Sequence, residues 1–228
     1  LNLDGWLDLL QANGMVDDSP DKRFSKPRFY WYAAEKVMRS GPEIHSYVDR
    51  WPDLRGYEIF GRQADRVYLS RGDKSTMQFV DVAVQAGLTN LGNSRGMALA
   101  DFDNNGTLDL AITHQFKPLS LYRNSGKARH WLGISLRGDG KTVSREAIGT
   151  QVLVRHAAMQ QMREVQIANG FSAQGDRRLL FGLGEYSGPV TVEIRWYGAE
   201  TEVFSNLRLD HYHTIIYENR RVPQVTRR

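Results

Sequence analysis

Residues 101 to 112 read DFDNNGTLDLAI: three aspartates and two asparagines crowd around one glycine, and an apolar strand follows at once. Like charges repel, so Asp101, Asp103 and Asp109 are costly to hold together unless a counter-ion is shared among them. Counting from Asp101, side-chain oxygens fall at the first, third, fifth and ninth positions, on Asp101, Asp103, Asn105 and Asp109. Thr107, at the seventh, can add its backbone carbonyl. Such a loop wraps one hard cation, and its ligand count suits Ca2+ better than the smaller Mg2+. Gly106 permits the tight reversal that brings the carboxylates together. An EF-hand would carry glutamate at the twelfth position and continue as a helix; here Ile112 stands there and a strand follows. The pattern therefore predicts a calcium-loop hairpin whose strands are "MALA" and "LDLAI". The competing reading is a polar turn in which asparagine and aspartate cap their own backbone. Asn105-Gly106-Thr107 also matches a glycosylation acceptor, which a ligand role for Asn105 opposes.

The opening residues repeat this pattern. "NLDGWLDLL" laid under "DNNGTLDLA" pairs Asn2 with Asp103, Asp4 with Asn105, Gly5 with Gly106, Trp6 with Thr107 and Asp8 with Asp109. The match to Asp101 would precede Leu1, so the expectation is a second calcium loop entered midway, in the carboxy-terminal part of a longer protein. Two copies of one loop point to a repeat, and repeats stack because a single unit cannot bury its own face.

Bulk properties narrow the function classes. With 228 residues, 41% apolar and 25% charged, the chain has the balance of a soluble globular protein. The net charge of +4 owes part of its value to the tail "NRRVPQVTRR", and no basic stripe on a recognisable module suggests a nucleic-acid partner. Cysteine is absent, which excludes disulfides, thiolate metal sites and cysteine nucleophiles. No apolar run has the length of a membrane span.

Strand signals dominate. From about residue 17 to 60 the pattern breaks into an aromatic-rich insertion, with a helix expected from about Tyr30 to Arg39, ended by Gly41-Pro42. Its consecutive aromatics Phe29, Tyr30, Trp31 and Tyr32 fit either an insertion packed outside a sheet domain or a lip over a binding surface. "DRVYLSRG" and "MQFVDVAVQAGL" read as a strand, a turn and another strand or short helix. From Trp131 the strands lengthen; in "TVEIRW", Val192, Ile194 and Trp196 fall on one side, the mark of a half-buried strand. These shifts divide the chain into 1–127, 128–219 and a basic tail over 220–228.

Other candidates are weaker. His211 and His213 share a strand face but make only half a zinc site, and a sheet edge accounts for them. His114, His130 and His156 read as surface or packing histidines. "FGLGE" has neither the P-loop nor the dinucleotide spacing and is expected to be a turn. Gln174, Asp176, Arg177 and Arg178 fit either a loop that meets an anion or surface ion pairs. No spacing nominates a nucleophile triad.

The acidic loop with its flanking strands resembles the FG-GAP or VCBS blade repeat of integrin-alpha-like β-propellers. "HWLGISLRG", "REAIGTQVLV", "NGFSAQGDRRLLFGLGE" and "VTVEIRWYGAETEV", in that order, resemble the ASPIC/UnbV domain, which follows such repeats in bacterial proteins and in the cartilage acidic proteins of animals. One departure is Trp196-Tyr197-Gly198, where the family usually has a Trp-Pro-x-Gly turn. The resemblance implies an all-β chain: terminal blades of a seven-bladed propeller followed by a small β-sandwich-like domain. It implies Ca2+ in both loops and a secreted, periplasmic or extracellular protein that binds a protein or glycan. Another chain or a preceding segment would complete the propeller. The alternative is an enzyme or accessory protein of bacterial secondary metabolism, then cytoplasmic, with a pocket between propeller and second domain. Trp31 and Tyr32 would be its lid, and Asp176 with Arg177 a charged pair within it.

Overall fold

The computed structural model describes residues 1–14, 39, 64–72, 78–92, 94–114, 117–127, 129–157, 159–168, 170–171 and 173–218. The expected helix up to residue 38, the aromatics Trp31 and Tyr32, and the basic tail lie outside them. Among the described residues the chain is all-β, with no helix and four small sheets, none of them closed.

The first sheet orders β1 (Leu9–Gln11), β2 (Arg66–Ser70) and β3 (Phe79–Asp81) side by side. β2 and β3 are the two strands expected in "DRVYLSRG" and "MQFVDVAVQAGL", and after β3 the chain turns through residues 83–87. The second sheet is β4 (Ser94–Ala100), β5 (Asp109–His114) and β6 (Lys117–Tyr122). The β4–β5 pair is the expected hairpin: Met97, Ala98, Leu99 and Ala100 face Ile112, Ala111, Leu110 and Asp109, with the acidic loop at its tip. Alternation sends Leu110 and Ile112 into one small core with Val67 of the first sheet and Ala83 and Leu88 from the turn segment that follows it, so neither sheet buries its face alone.

The other two sheets are β10 (Leu179–Gly184)–β7 (His130–Arg137)–β13 (Tyr212–Ile216), and β12 (Thr201–Ser205)–β11 (Thr191–Arg195)–β8 (Gln151–His156)–β9 (Met159–Glu164). They share the largest core, with Leu132, Ile134 and Phe181 from one sheet against Val152, Val154, Val192 and Ile194 from the other. The alternation expected in "TVEIRW" is realised, since Val192, Ile194 and Trp196 are all buried. "FGLGE" departs from its expected turn. Phe181 to Gly184 belong to β10, paired with β7, and two backbone approaches explain the glycines there. The Leu3 backbone comes within 2.5 Å of where a Cβ on Gly182 would stand, and Gly184 donates its N–H to the Leu3 carbonyl at 2.8 Å.

A third, smaller core explains how the halves meet. Leu3 and Leu108, from the two loop regions, pack with Trp131 of β7, Leu180 of β10 and Tyr212 of β13. Both loops therefore abut the carboxy-terminal sheets. At the other end of β4 and β5 lies a buried polar chain. The Ser94 hydroxyl donates to Asp65 at 2.9 Å and lies 3.1 Å from His114 Nδ1, while His114 Nε2 lies 2.8 Å from Ser120 Oγ. His114, read as a surface or packing histidine, is a buried member of this network. Desolvation pushes the Asp65 carboxyl above its ordinary value, against the pull of its hydrogen bonds from Asn13 and Ser94 and the charge of His114.

Candidate metal centre

Within the acidic loop, one carboxylate oxygen each from Asp101, Asp103 and Asp109 lies within 4.8 Å of the others. The local backbone arranges this. Asp101 accepts N–H bonds from Asn105 at 3.0 Å and Gly106 at 2.8 Å, closing the chain around its own first carboxylate. Asp109 accepts from Phe102 N at 3.0 Å and Asn124 N at 2.8 Å, tying the start and end of the loop to each other and to the segment that follows β6. Asn105 Oδ1 accepts from the Thr107 N–H at 2.7 Å and from its hydroxyl at 2.6 Å. Asn104 and Gly106 make the reversal with φ of 57° and 86°. A Cβ on Gly106 would stand 2.1 Å from the Trp131 indole, so a side chain is excluded by contact as well as by conformation.

The amino-terminal loop has the same construction. Leu3 and Gly5 take φ of 60° and 92°, matching Asn104 and Gly106. Asp4 Oδ1 accepts from Trp6 N at 2.9 Å, as Asn105 does from Thr107. Asp8 accepts from the Leu1 nitrogen at 2.6 Å and from Ser70 N at 2.9 Å, as Asp109 does from Phe102 and Asn124. Strand register agrees: Leu9 and Leu10 face Tyr68 and Val67, and Leu110 and Ala111 face Tyr122 and Leu121. Asn2, Asp4, Trp6 and Asp8 thus occupy places equivalent to Asp103, Asn105, Thr107 and Asp109. The two loops differ in charge, because Asn2 is neutral and donates to Asp4 at 2.9 Å. Among the described residues, the grouping of three acidic side chains occurs at the acidic loop.

The donor set fits a hard divalent cation. Every side chain offered is an oxygen donor, and each carboxylate has about four lone-pair directions, so the backbone bonds to Asp101 and Asp109 do not exhaust them. Asp101 and Asp109 are buried, whereas Asp103 and Asn105 face solvent, which leaves an entry side. Arg123 competes there, bonding Asp103 at 2.6 Å.

Two residues outside the loop complete the surroundings, and loop spacing alone contains no signal for either. Tyr212 donates its hydroxyl to Asp101 Oδ2 at 2.9 Å. Arg178 donates to the Asp101 backbone carbonyl at 2.8 Å and to Asn104 Oδ1, and pairs with Asp176 at 2.6 Å. Its guanidinium lies 4.3 Å from the Tyr212 ring centroid, a cation–π contact. Burial, then the bond and charge of Asp101, push the Tyr212 phenol well above its ordinary value and keep it a neutral donor. Burial opposes the charge on Arg178, but Asp176, Tyr212 and Asp101 outweigh it and hold its pKa above the usual guanidinium range.

The remaining candidates do not gather into a site. Arg177 pairs with Glu146 at 2.8 Å. His211 and His213 bond separate backbone carbonyls, those of Asp210 and Arg208. His130 pairs with Asp210 at 2.9 Å. A polar cleft of about 570 Å³ lies beside Asp176, Arg177 and Arg178, walled by Ser135 to Asp139, Arg145 and Glu146.

No curated protein matches the chain. Residues 140–222 match the family model described as ASPIC and UnbV. The matched segment contains Arg178 and Tyr212, the two residues that reach the acidic loop from the carboxy-terminal part of the chain.

Proposed function

We propose that this chain is a calcium-stabilised binding protein in which FG-GAP or VCBS blades, the terminal part of a β-propeller, precede the ASPIC and UnbV domain. Ca2+ is held by Asp101, Asp103, Asn105, Asp109 and the Thr107 carbonyl. A second ion takes Asp4, Asp8, Asn2 and the Trp6 carbonyl. The bound cation cancels the charge of the clustered carboxylates and stiffens the hairpin tip. That leaves the exposed blade surface for a protein or glycan partner outside the cell. The observation that carries the reading is the approach of three carboxylate oxygens to within 4.8 Å in a loop whose hydrogen bonding recurs at Asp4 and Asp8.

Terbium titration tests it, because Trp131 lies against Gly106 of the loop and can sensitise a lanthanide held there. Saturable emission, displaced by Ca2+ and poorly by Mg2+ and lost in Asp101→Asn, is expected. Emission that never saturates, or that survives this substitution unchanged, rules the site out.

A second reading is an enzyme or accessory protein with chemistry in the polar cleft. Its support is the cleft of about 570 Å³ that holds Asp176 and Arg177 beside Arg137 and Arg145. A small acidic metabolite that binds the chain and is lost in Arg145→Gln would favour this reading over a purely surface-binding role.

A further inference from the structure

The acidic loop does not close on itself alone. Its first carboxylate, Asp101, is held on one side by the amides of Asn105 and Gly106 and on the other by the Tyr212 hydroxyl, from a strand 111 residues away. The Tyr212 ring reaches that carboxylate because β7 has no side chain at Gly133. A Cβ there would stand 2.3 Å from the ring, and Gly133 is the register partner of Tyr212. The ring is then fixed between Trp131, at 5.0 Å between centroids, and the Arg178 guanidinium. Arg178 spans the junction, since one side chain bonds Asp176 of the ASPIC and UnbV domain, the Asp101 carbonyl and Asn104. Beside it the Asp176 N–H donates to the Leu99 carbonyl of β4 at 2.8 Å. The amino-terminal loop meets the same domain through Leu3, which packs on Gly182 and accepts from Gly184 N.

Resting on the reading of the acidic loop as an ion site, we infer that Tyr212 and Arg178 are positioning residues for the ion, so that cation affinity and docking of the ASPIC and UnbV domain on the loops are coupled. A group that orients a ligating carboxylate sets the geometry the cation meets, and losing such an outer partner typically costs about 10-fold to 100-fold in metal affinity. Linkage makes the effect reciprocal: whatever factor docking contributes to ion affinity, the ion contributes to docking. The arginine and the tyrosine act on different atoms. Tyr212 fixes the rotation of the Asp101 carboxylate. Arg178 holds the Asp101 backbone carbonyl and the Asn104 side chain, on either side of Asp103.

The test is calorimetric Ca2+ titration of the intact chain, wild type against Tyr212→Phe, Arg178→Lys and Arg177→Gln, paired with hydrogen exchange of each protein with and without Ca2+. Tyr212→Phe keeps the ring contacts and removes one hydroxyl; Arg178→Lys keeps the charge and removes the fork. Each is expected to weaken Ca2+ binding about tenfold. Arg177→Gln, whose partner is Glu146, is expected to bind like wild type. Calcium should slow exchange at residues 176–178 and 210–214 in wild type, and much less in Tyr212→Phe. Should Tyr212→Phe fold poorly, Arg178→Lys carries the comparison. Wild-type affinity in both variants, with exchange in the carboxy-terminal segments indifferent to Ca2+, overturns the coupling and leaves the ion site standing. A wild-type chain that takes up no Ca2+ overturns both.

Discussion

Tyr212 and Asp101 are joined by a 2.9 Å hydrogen bond, and through it the carboxy-terminal sheet grips the first residue of the acidic loop. The loop thus has two kinds of support. Its backbone bonds to Asp101 and Asp109 close the loop, whereas its clustered charge favours a bound cation. Substitutions can separate these contributions.

Asp109 and Asp103 should behave differently on truncation. Asp109 is buried and accepts from Phe102 N and Asn124 N, so Asp109→Ala leaves two donors unsatisfied. A loss of about 2–4 kcal/mol is expected even in the presence of chelator, at about 1–3 kcal/mol per orphaned group with partial relaxation. Asp103 is exposed and among the described residues its side chain bonds Arg123, so Asp103→Ala should cost less than about 0.5 kcal/mol in chelator. Its effect should appear as lost stabilisation by Ca2+. Urea unfolding of both variants with Ca2+ and with chelator measures the difference.

Removing Arg123 should strengthen ion binding. Its guanidinium occupies Asp103 Oδ2 at 2.6 Å, while its own side chain is 76% exposed, so the pair adds little to stability. Arg123→Gln is expected to raise Ca2+ affinity by a factor of about 2–5, roughly 0.4–1 kcal/mol of relieved competition. Calorimetric titration reads this directly. An affinity unchanged or reduced would mean that the arginine does not compete with the cation for this carboxylate.

Gly106→Ala should be among the most damaging single substitutions in the loop. The added methyl meets the Trp131 indole at 2.1 Å, at a φ of 86° that L-residues avoid. A loss of about 3 kcal/mol or more is expected, combining overpacking with backbone strain. Thermal unfolding followed by tryptophan fluorescence would register both the loss and the altered environment of Trp131.

The acid limb of stability should depend in part on Asp139. Its carboxylate accepts from the N–H groups of Lys141, Val143 and Thr142, which hold its pKa below the ordinary 3.8. A depressed carboxyl contributes stability that is fully present above its unfolded value and is lost as pH falls through its folded value. Asp139→Asn should therefore unfold with a shallower pH dependence below about pH 4. Acid titrations followed by circular dichroism, run beside wild type, would show the change in slope.

Sequence spacing by itself determined the hairpin and its doubled loop. The residue types at Asp101, Asp103, Asn105 and Asp109, followed by alternating Leu110 and Ile112, allow few local solutions. Carboxylates that repel one another belong at a solvent-facing tip where a cation can reach them, and apolar residues must take one side of a strand. The same logic located the half-buried strand at Val192, Ile194 and Trp196. These signals are legible because they are local: the physics that produces them acts between residues a few positions apart.

Only the tertiary structure decided what surrounds the tip. Nothing near Asp101 in sequence indicates Tyr212 or Arg178, and "QGDRR" alone reads first as surface ion pairs, with an anion-binding loop as the alternative. The assignment of "FGLGE" as a turn failed for the same reason, because Gly182 is required by the Leu3 backbone approaching from the far end of the chain. The buried chain from Asp65 through Ser94 to His114 is likewise assembled across strands. Such contacts arise when separate elements bury their faces together, and loop closure over a hundred residues leaves no periodicity for a sequence pattern to record.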